Sequence, residues 1–318
     1  MACIPLTQDS AKSRRNYSKA IEAFQVALRA NKEDQLCWLR LGEAYSKGGR
    51  HAAALKALAH AYQLKPDDWM CMYLIGEVQR HTGKLAEALD TFKSVLDRRL
   101  DDVGVLMSIA HTELALARQE WLGGFFARAE QTFSSAIATS LSTIQASSGY
   151  GGVAWKVVAD ALLGLSKATN FIDEDIVRDI LMQTASAIEG PVNMHIAKFF
   201  VCKSIQKNTP VTGSHALEVA VRVCDYRVTL GSTDDVAMGS AFYDLGLALY
   251  LWSNEKKKDS RGPALEVAIS MLADALRKEP SNPTYWTALA MMYFVEKPKA
   301  AQHAYIRALE LDSKVRQN

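Results

Sequence analysis

A chain of 318 residues, 49% hydrophobic and 23% charged, has ordinary folded-protein composition and is long enough for two domains or one extended repeat array. Lysine and arginine number 37 against 35 aspartates and glutamates, so bulk charge offers no attraction to nucleic acid or an anionic membrane. Five scattered cysteines do not suggest a disulfide framework, and the N-terminus has no apolar signal core, which points to a reduced cytoplasmic or nuclear chain.

Residues 1–15, "MACIPLTQDSAKSRR", are mixed in character and read as a poorly ordered N-terminus. A helix with Ala20, Phe24 and Ala27 on one side is expected from Asn16 to Arg29. Nothing before it supplies a matching partner helix. That side is therefore expected to be open and available for self-association, as though the chain started inside a longer array.

The stretch from Trp38 to Pro66 reads as two helices, one ending near Lys47 and one from His51 to Leu64, parted by Gly48 and Gly49. Pro66 closes the second, because proline lacks the amide a helix needs. Trp38, Leu41 and Tyr45 share one helical face, while Gly42 and Ala54 are small where two helices touch. The unit recurs 34 residues later: Gly42, Gly49 and Ala54 return as Gly76, Gly83 and Ala88, and Phe92 takes the place of Leu58. Cys37 and Cys71 stand at that same interval and report the repeat, not a metal pair. This period and its W-x-x-L-G-x-x-Y pattern resemble the tetratricopeptide repeat family. The resemblance implies an all-α superhelix of stacked hairpins, since one hairpin cannot bury its own apolar face.

A third repeat starts at Val103, but its second helix, with Ala129, Phe133 and Ala136, comes seven residues late. "RQEWLGGFFARAE" lengthens that hairpin. Repeats are thus assigned to residues 16–140. The Ser-, Thr- and Gly-rich stretch that follows reads as a spacer loop over 141–152, and residues 153–318 as divergent and then regular repeats. Trp155 restarts the pattern, and a helix from Asp173 opens with acids that suit its dipole. Residues 191–230 hold two apolar-periodic segments parted by "NTPVTGS". The most apolar run, Val236 to Trp252, is short for a membrane span, contains Asp244 and reads as a repeat helix. "NEKKKDSRGP" interrupts the pattern before Ala268, Leu272 and Ala275. The final repeat carries Trp286, Leu289 and Tyr293, then Ala301, Tyr305 and Ala308.

No catalytic, cofactor or metal residues are nominated. "GYGGVA" lacks the strand and the Lys-Ser/Thr pair of a phosphate loop and reads as a plain loop. Neither H-E-x-x-H nor Cys-x-x-Cys occurs, His111 and His195 read as packed residues, and no G-x-S-x-G elbow is present. "EKKKD" reads as a solvated loop, so direct nucleic-acid binding is not expected. Trp38, Tyr45, Trp155, Trp286 and Tyr293 occupy repeat-core positions. What remains is a surface. In the family the first helix of each repeat lines a concave groove, which here presents Arg40, Glu43, Lys47, Tyr73, Glu77, Arg80 and His81 to a protein partner. Family members that clamp a terminal carboxylate use lysine and asparagine where this chain has Leu39 and Glu43, and an acid there would repel that ligand.

"RNYSKAIEAFQVALR", "GGFFARAEQTFSSAI", "WKVVADALL" and "AQHAYIRALELD" resemble the large scaffold subunit of the Ski (superkiller) complex. Val158 and Ala159 replace that family's usual Leu-Gly. The resemblance runs from residue 16 to 312. It implies a scaffold that holds an RNA helicase and WD-repeat subunits and feeds messenger RNA to the cytoplasmic exosome for 3′–5′ decay. Two other readings stay open, a general tetratricopeptide adaptor and the regulatory repeat segment of a larger enzyme such as a glycosyltransferase.

Overall fold

The computed structural model describes residues 8–147, 151–188, 190–200, 210–255, 258–294 and 297–317, and among them every regular element is helical. The chain divides into two compact units, residues 1–112 with 315–318, and residues 113–314.

In the first unit, α1 (Gln8–Ala30) precedes two hairpins: α2 (Gln35–Lys47) with α3 (His51–Leu64), and α4 (Trp69–His81) with α5 (Leu85–Leu96). The helix α6 (Val103–Leu122) then begins, and the division between units falls within it. α1 starts at Gln8, ahead of the Asn16 boundary read from the sequence; residues 1–7 lie outside the described residues. Each first helix opens on a carboxylate that accepts from its own first turn. Asp34 accepts the Cys37 amide at 3.0 Å, Asp68 the Met70 amide at 3.0 Å, and Asp102 the Gly104 amide at 3.0 Å. Such caps contribute ~1 kcal/mol each, because they satisfy amides the helix leaves unpaired.

The turns inside the hairpins repeat as closely as the caps. Gly49 (φ +74°) and Gly83 (φ +81°) take the left-handed conformation, and the next amide reaches back five residues: Arg50 to the Tyr45 carbonyl at 2.8 Å, Lys84 to the Gln79 carbonyl at 3.0 Å. A side chain at either glycine would be strained there. Gly42 and Gly76 serve a different purpose. A Cβ on Gly42 would lie 2.6 Å from Leu58, and one on Gly76 2.7 Å from Phe92, so the missing side chain is what lets each hairpin close. Ala54, Leu58, Ala61, Ala88 and Phe92 are each fully buried in the resulting cores.

The second unit contains the end of α6, then α7 (Phe126–Ala146), α8 (Gly151–Leu165), α9 (Glu174–Ala187), the short α10 (Met194–Ala197) and α11 (Gly213–Leu230). It finishes with α12 (Asp235–Glu255), α13 (Lys258–Lys278), α14 (Pro283–Tyr293) and α15 (Pro298–Gln317) as far as residue 314. α8 is apolar on nearly every side and packs on α7, α11 and α12, as an enclosed helix must. The hairpin of α6 and α7 is lengthened as expected, with Gly124 (φ +80°) at its turn.

Three boundaries differ from the sequence reading. The Ser/Thr-rich stretch continues α7 to Ala146 instead of looping from residue 141. Its hydroxyls satisfy themselves on carbonyls four residues back, Ser140 on Ala136 at 2.7 Å and Thr143 on Thr139 at 2.8 Å. Ser135 and Thr139 also donate to the buried Glu113 carboxylate at 2.6 and 2.9 Å. The glycine stretch read as a loop opens α8 at Gly151, with residues 148–150 outside the described residues. The basic interruption is shorter than expected: α13 starts at Lys258 and accommodates Pro263 near its beginning, while residues 256–257 lie outside the described residues. α12 is the helix read in the apolar run, and among the described residues no helix is long and apolar enough to cross a membrane.

Candidate protein-interaction surface

The residues nominated for the concave groove fall into two stripes on consecutive first helices. On α2, Glu43 binds Lys47 at 2.7 Å and Arg40 at 2.9 Å. On α4, the equivalent acid, Glu77, binds Arg80 at 2.7 Å, and its backbone carbonyl lies 2.6 Å from His81 Nδ1. The Lys47 hydrogen bond, helped by Arg40 and opposed by burial, holds the Glu43 carboxyl below its ordinary range. These are three- and four-residue pairs along single helices, each contributing only ~0.3–0.5 kcal/mol. Their effect is to leave a stripe of alternating sign in which two carboxylates offset most of the charge of three cations. Tyr73 joins it from α4, its hydroxyl 3.0 Å from Ser108 Oγ on α6.

The nominated core residues separate by depth. Leu41, Gly42, Ala54, Gly76, Ala88, Phe92 and Trp155 are buried. Trp38, Tyr45, Trp286 and Tyr293 are only half-buried. The two tryptophans are equivalent in detail: each indole N–H donates to a backbone carbonyl six residues earlier, Trp38 to Lys32 at 2.8 Å and Trp286 to Pro280 at 2.9 Å. Their rings therefore brace the chain as it enters a first helix instead of filling the core. Next to Trp286, Tyr285 is 5% exposed and anchored through its hydroxyl to Glu279 at 2.8 Å. Cys37, Cys71 and Cys224 are buried, and burial pushes their thiols up, which suits packing and not reactivity.

In the second unit the structure assembles a charge cluster that the sequence analysis did not nominate. Asp244, on α12, binds Lys156 of α8 at 2.9 Å and pairs with Arg227 of α11. Arg227 also donates to the Gly152 carbonyl at 3.1 Å, and Asp160 of α8 accepts from Arg118 at 2.9 Å. The signal was present in the sequence, as an acid inside the apolar run and a lysine beside Trp155, but only the fold shows that they meet.

Stacked antiparallel hairpins with capped first helices and a 34-residue period define a helical-repeat protein built to present surface. The family model described as Tetratricopeptide repeat matches residues 9–68 and 39–102, so the first unit carries tetratricopeptide repeats. Over 294 residues the chain is 27% identical to Superkiller protein 3 of Schizosaccharomyces pombe, covering 91% of this chain and 21% of that protein. The chain thus spans about a fifth of the length of the curated relative it matches. Among solved structures, it is similar to a chain of the APC/C hetero-tetramer Cut9-Hcn1, with a TM-score of 0.49 at 12% identity, covering 93% of this chain and 43% of that one. It is also similar to a thermophilic TPR protein of Thermus thermophilus, with a TM-score of 0.44 at 18% identity, covering 82% of this chain and 100% of that one.

Proposed function

We propose that the chain is a non-catalytic scaffold segment of a Ski-type assembly, holding an RNA helicase and WD-repeat subunits in the cytoplasm during messenger RNA decay by the exosome. The observation that carries this reading is the reach of the similarity: identity to Superkiller protein 3 extends over 91% of the chain, well past the matched repeats at residues 9–102. A general repeat module would be expected to align through its repeat positions, whereas the lengthened α6–α7 hairpin and the divergent α8 region are included here. Within this reading, the stripes of Arg40, Glu43 and Lys47 and of Tyr73, Glu77, Arg80 and His81 contact a partner. Their alternating charges favour a partner surface that is itself mixed in sign.

Affinity purification of the tagged chain from its native source tests the proposal. Recovery of a helicase with WD-repeat subunits, reduced by combined Glu43→Lys and Glu77→Lys substitution, supports both the assembly and the stripe. Recovery of chaperones, or of a catalytic domain on the same polypeptide, would overturn it in favour of an adaptor or an enzyme's regulatory segment.

A further inference from the structure

The face of α2 opposite the ion-paired stripe is not closed. A helix advances about 100° per residue, which places Trp38, Leu41 and Tyr45 on the side of α2 away from Arg40, Glu43 and Lys47. There α1 and α3 stand apart over a groove of 730 Å³ with Trp38, Leu41 and Tyr45 on its floor. This volume is within the range of specific binding clefts. The floor rests on a rigid support, since Leu28, Leu41 and Ala57 belong to one buried cluster against which Trp38 and Tyr45 pack. The aromatic groups are fixed: Trp38 meets the His60 ring edge-on at 4.6 Å, and Gln25 donates to the Tyr45 hydroxyl at 2.8 Å.

The charge on the rim is one-sided. Arg29 from α1, Lys32 from the connection and Lys56 from α3 line the groove, and no carboxylate does. All three are exposed, and none forms an ion pair among the described residues, unlike Arg40 and Lys47 on the opposite face of α2, which both pair with Glu43. Three unpaired cations converging on an apolar, aromatic floor attract an anionic ligand that also carries apolar anchors.

We propose that this groove binds an acidic peptide segment, with aliphatic or aromatic side chains on the floor and carboxylates at Arg29, Lys32 and Lys56. Single-stranded nucleic acid fits less well, because base stacking needs an open ring face and the Trp38 ring is already engaged by His60 in a T-shaped contact, with its N–H tied to the Lys32 carbonyl. The site lies away from the first-helix stripe and does not depend on the assembly proposed above.

The test uses the purified full chain and three fluorescent probes. Two are peptides with identical leucine and phenylalanine spacing, one with glutamate and aspartate at the remaining positions and the other with lysine; the third is an oligouridine RNA. The acidic peptide is expected to bind and to weaken with added salt. Combined Lys32→Glu and Lys56→Glu substitution should lower its affinity at least about tenfold, a change that free-energy scale makes easy to resolve. The same charge change in Lys65→Glu with Lys93→Glu, outside the groove, should leave affinity within about twofold. Bound peptide should also slow amide exchange in residues 25–32 and 53–60. Equal binding of the lysine peptide, tighter binding of RNA, indifference to the Lys32/Lys56 reversal, or no binding at about 1 mM would each overturn the proposal.

Discussion

Replacing Asp244 by alanine isolates the charge cluster of the second unit. The Asp244 and Arg227 side chains are 4% and 6% exposed, so removing the carboxylate strands a guanidinium that water cannot reach. Deleting one partner of a buried pair costs ~3–5 kcal/mol, because the remaining charge keeps its desolvation penalty. The lower end applies here. Arg227 retains the Gly152 carbonyl at 3.1 Å and Ser240 at 3.3 Å, and Lys156 can turn to Asp160, now 3.8 Å away. A loss of ~3 kcal/mol lowers the melting temperature of a unit this size by about 6–12 °C. Calorimetry of Asp244→Ala should show that drop. Combined Asp244→Leu and Arg227→Leu should recover to within ~1 kcal/mol of the parent, since apolar replacement of both partners is often neutral. If the single variant melts within about 2 °C of the parent, the pair is not balanced as argued. If the double variant is as unstable as the single, packing at α11 and α12 is responsible and not the stranded charge.

Asp225 offers a pH signature of opposite sense to an ordinary salt-bridged acid. Burial raises its carboxyl above the unfolded value, only partly offset by the Asn193 amide at 2.9 Å, so its stabilising contribution is complete below the unfolded pKa and is lost as pH rises through the folded one. Asp225→Asn, which can still accept that amide, should therefore stabilise the chain near pH 7 and lose that advantage as pH falls to the unfolded carboxyl value of about 4, as read by melting temperature across pH. At the last hairpin, Tyr285→Ala should cost ~3–5 kcal/mol as a buried aromatic, and Trp286→Ala roughly half that, because its ring is half-buried. Denaturant titration of the two variants checks the order, and a larger loss for Trp286 would refute it.

The first unit was legible because its constraints are local and steric. Glycine is the favoured residue at the positive φ of residues 49 and 83, and the absence of a side chain at 42 and 76 admits Leu58 and Phe92, so the period is visible in the letters. The cap positions carry the same period at Asp34, Asp68 and Asp102, one residue along from the Asp67 and Asp101 that share it by spacing alone. Where the boundaries were missed, side chains had other ways to satisfy themselves. The hydroxyls of α7 bond back to their own helix, which composition alone reads as a loop. Site residues divided on the same principle. Ion pairs at three- and four-residue spacing can be counted from sequence. Burial depth cannot, because periodicity reports which way Trp38 and Trp286 point and not how deeply they sit. The groove and the Asp244 cluster were out of reach for a further reason: each takes its residues from several separate segments.

α1 exposes positions that its counterpart α3 buries. In α3, Ala54, Ala57, Leu58 and Ala61 are at most 3% exposed, enclosed by the neighbouring helices. The equivalent positions 34 residues earlier are Ala20, Ala23, Phe24 and Ala27, and there Ala23 and Ala27 are exposed while Ala20 and Phe24 are half-buried. Val26 adds to this open side at 61% exposure. Ile21 and Leu28, on the adjoining flank of α1, are buried in the cluster with α2 and α3, and Phe24 packs at its edge, so the helix is held along that flank while Ala23, Val26 and Ala27 stay open. A helix supported on one side opens more readily than one supported on two, which predicts faster amide exchange along α1 than along α2 and α3. A small-residue face shaped for a neighbouring helix also favours pairing with a second copy, so sedimentation should show weight-average mass rising with concentration. Ala23→Glu with Ala27→Glu places charge on that face without touching Ile21 or Leu28, and should abolish the rise while leaving helicity intact. Equal protection of α1, α2 and α3 in a strictly monomeric sample would refute the reasoning, as would association that persists in the double-glutamate variant.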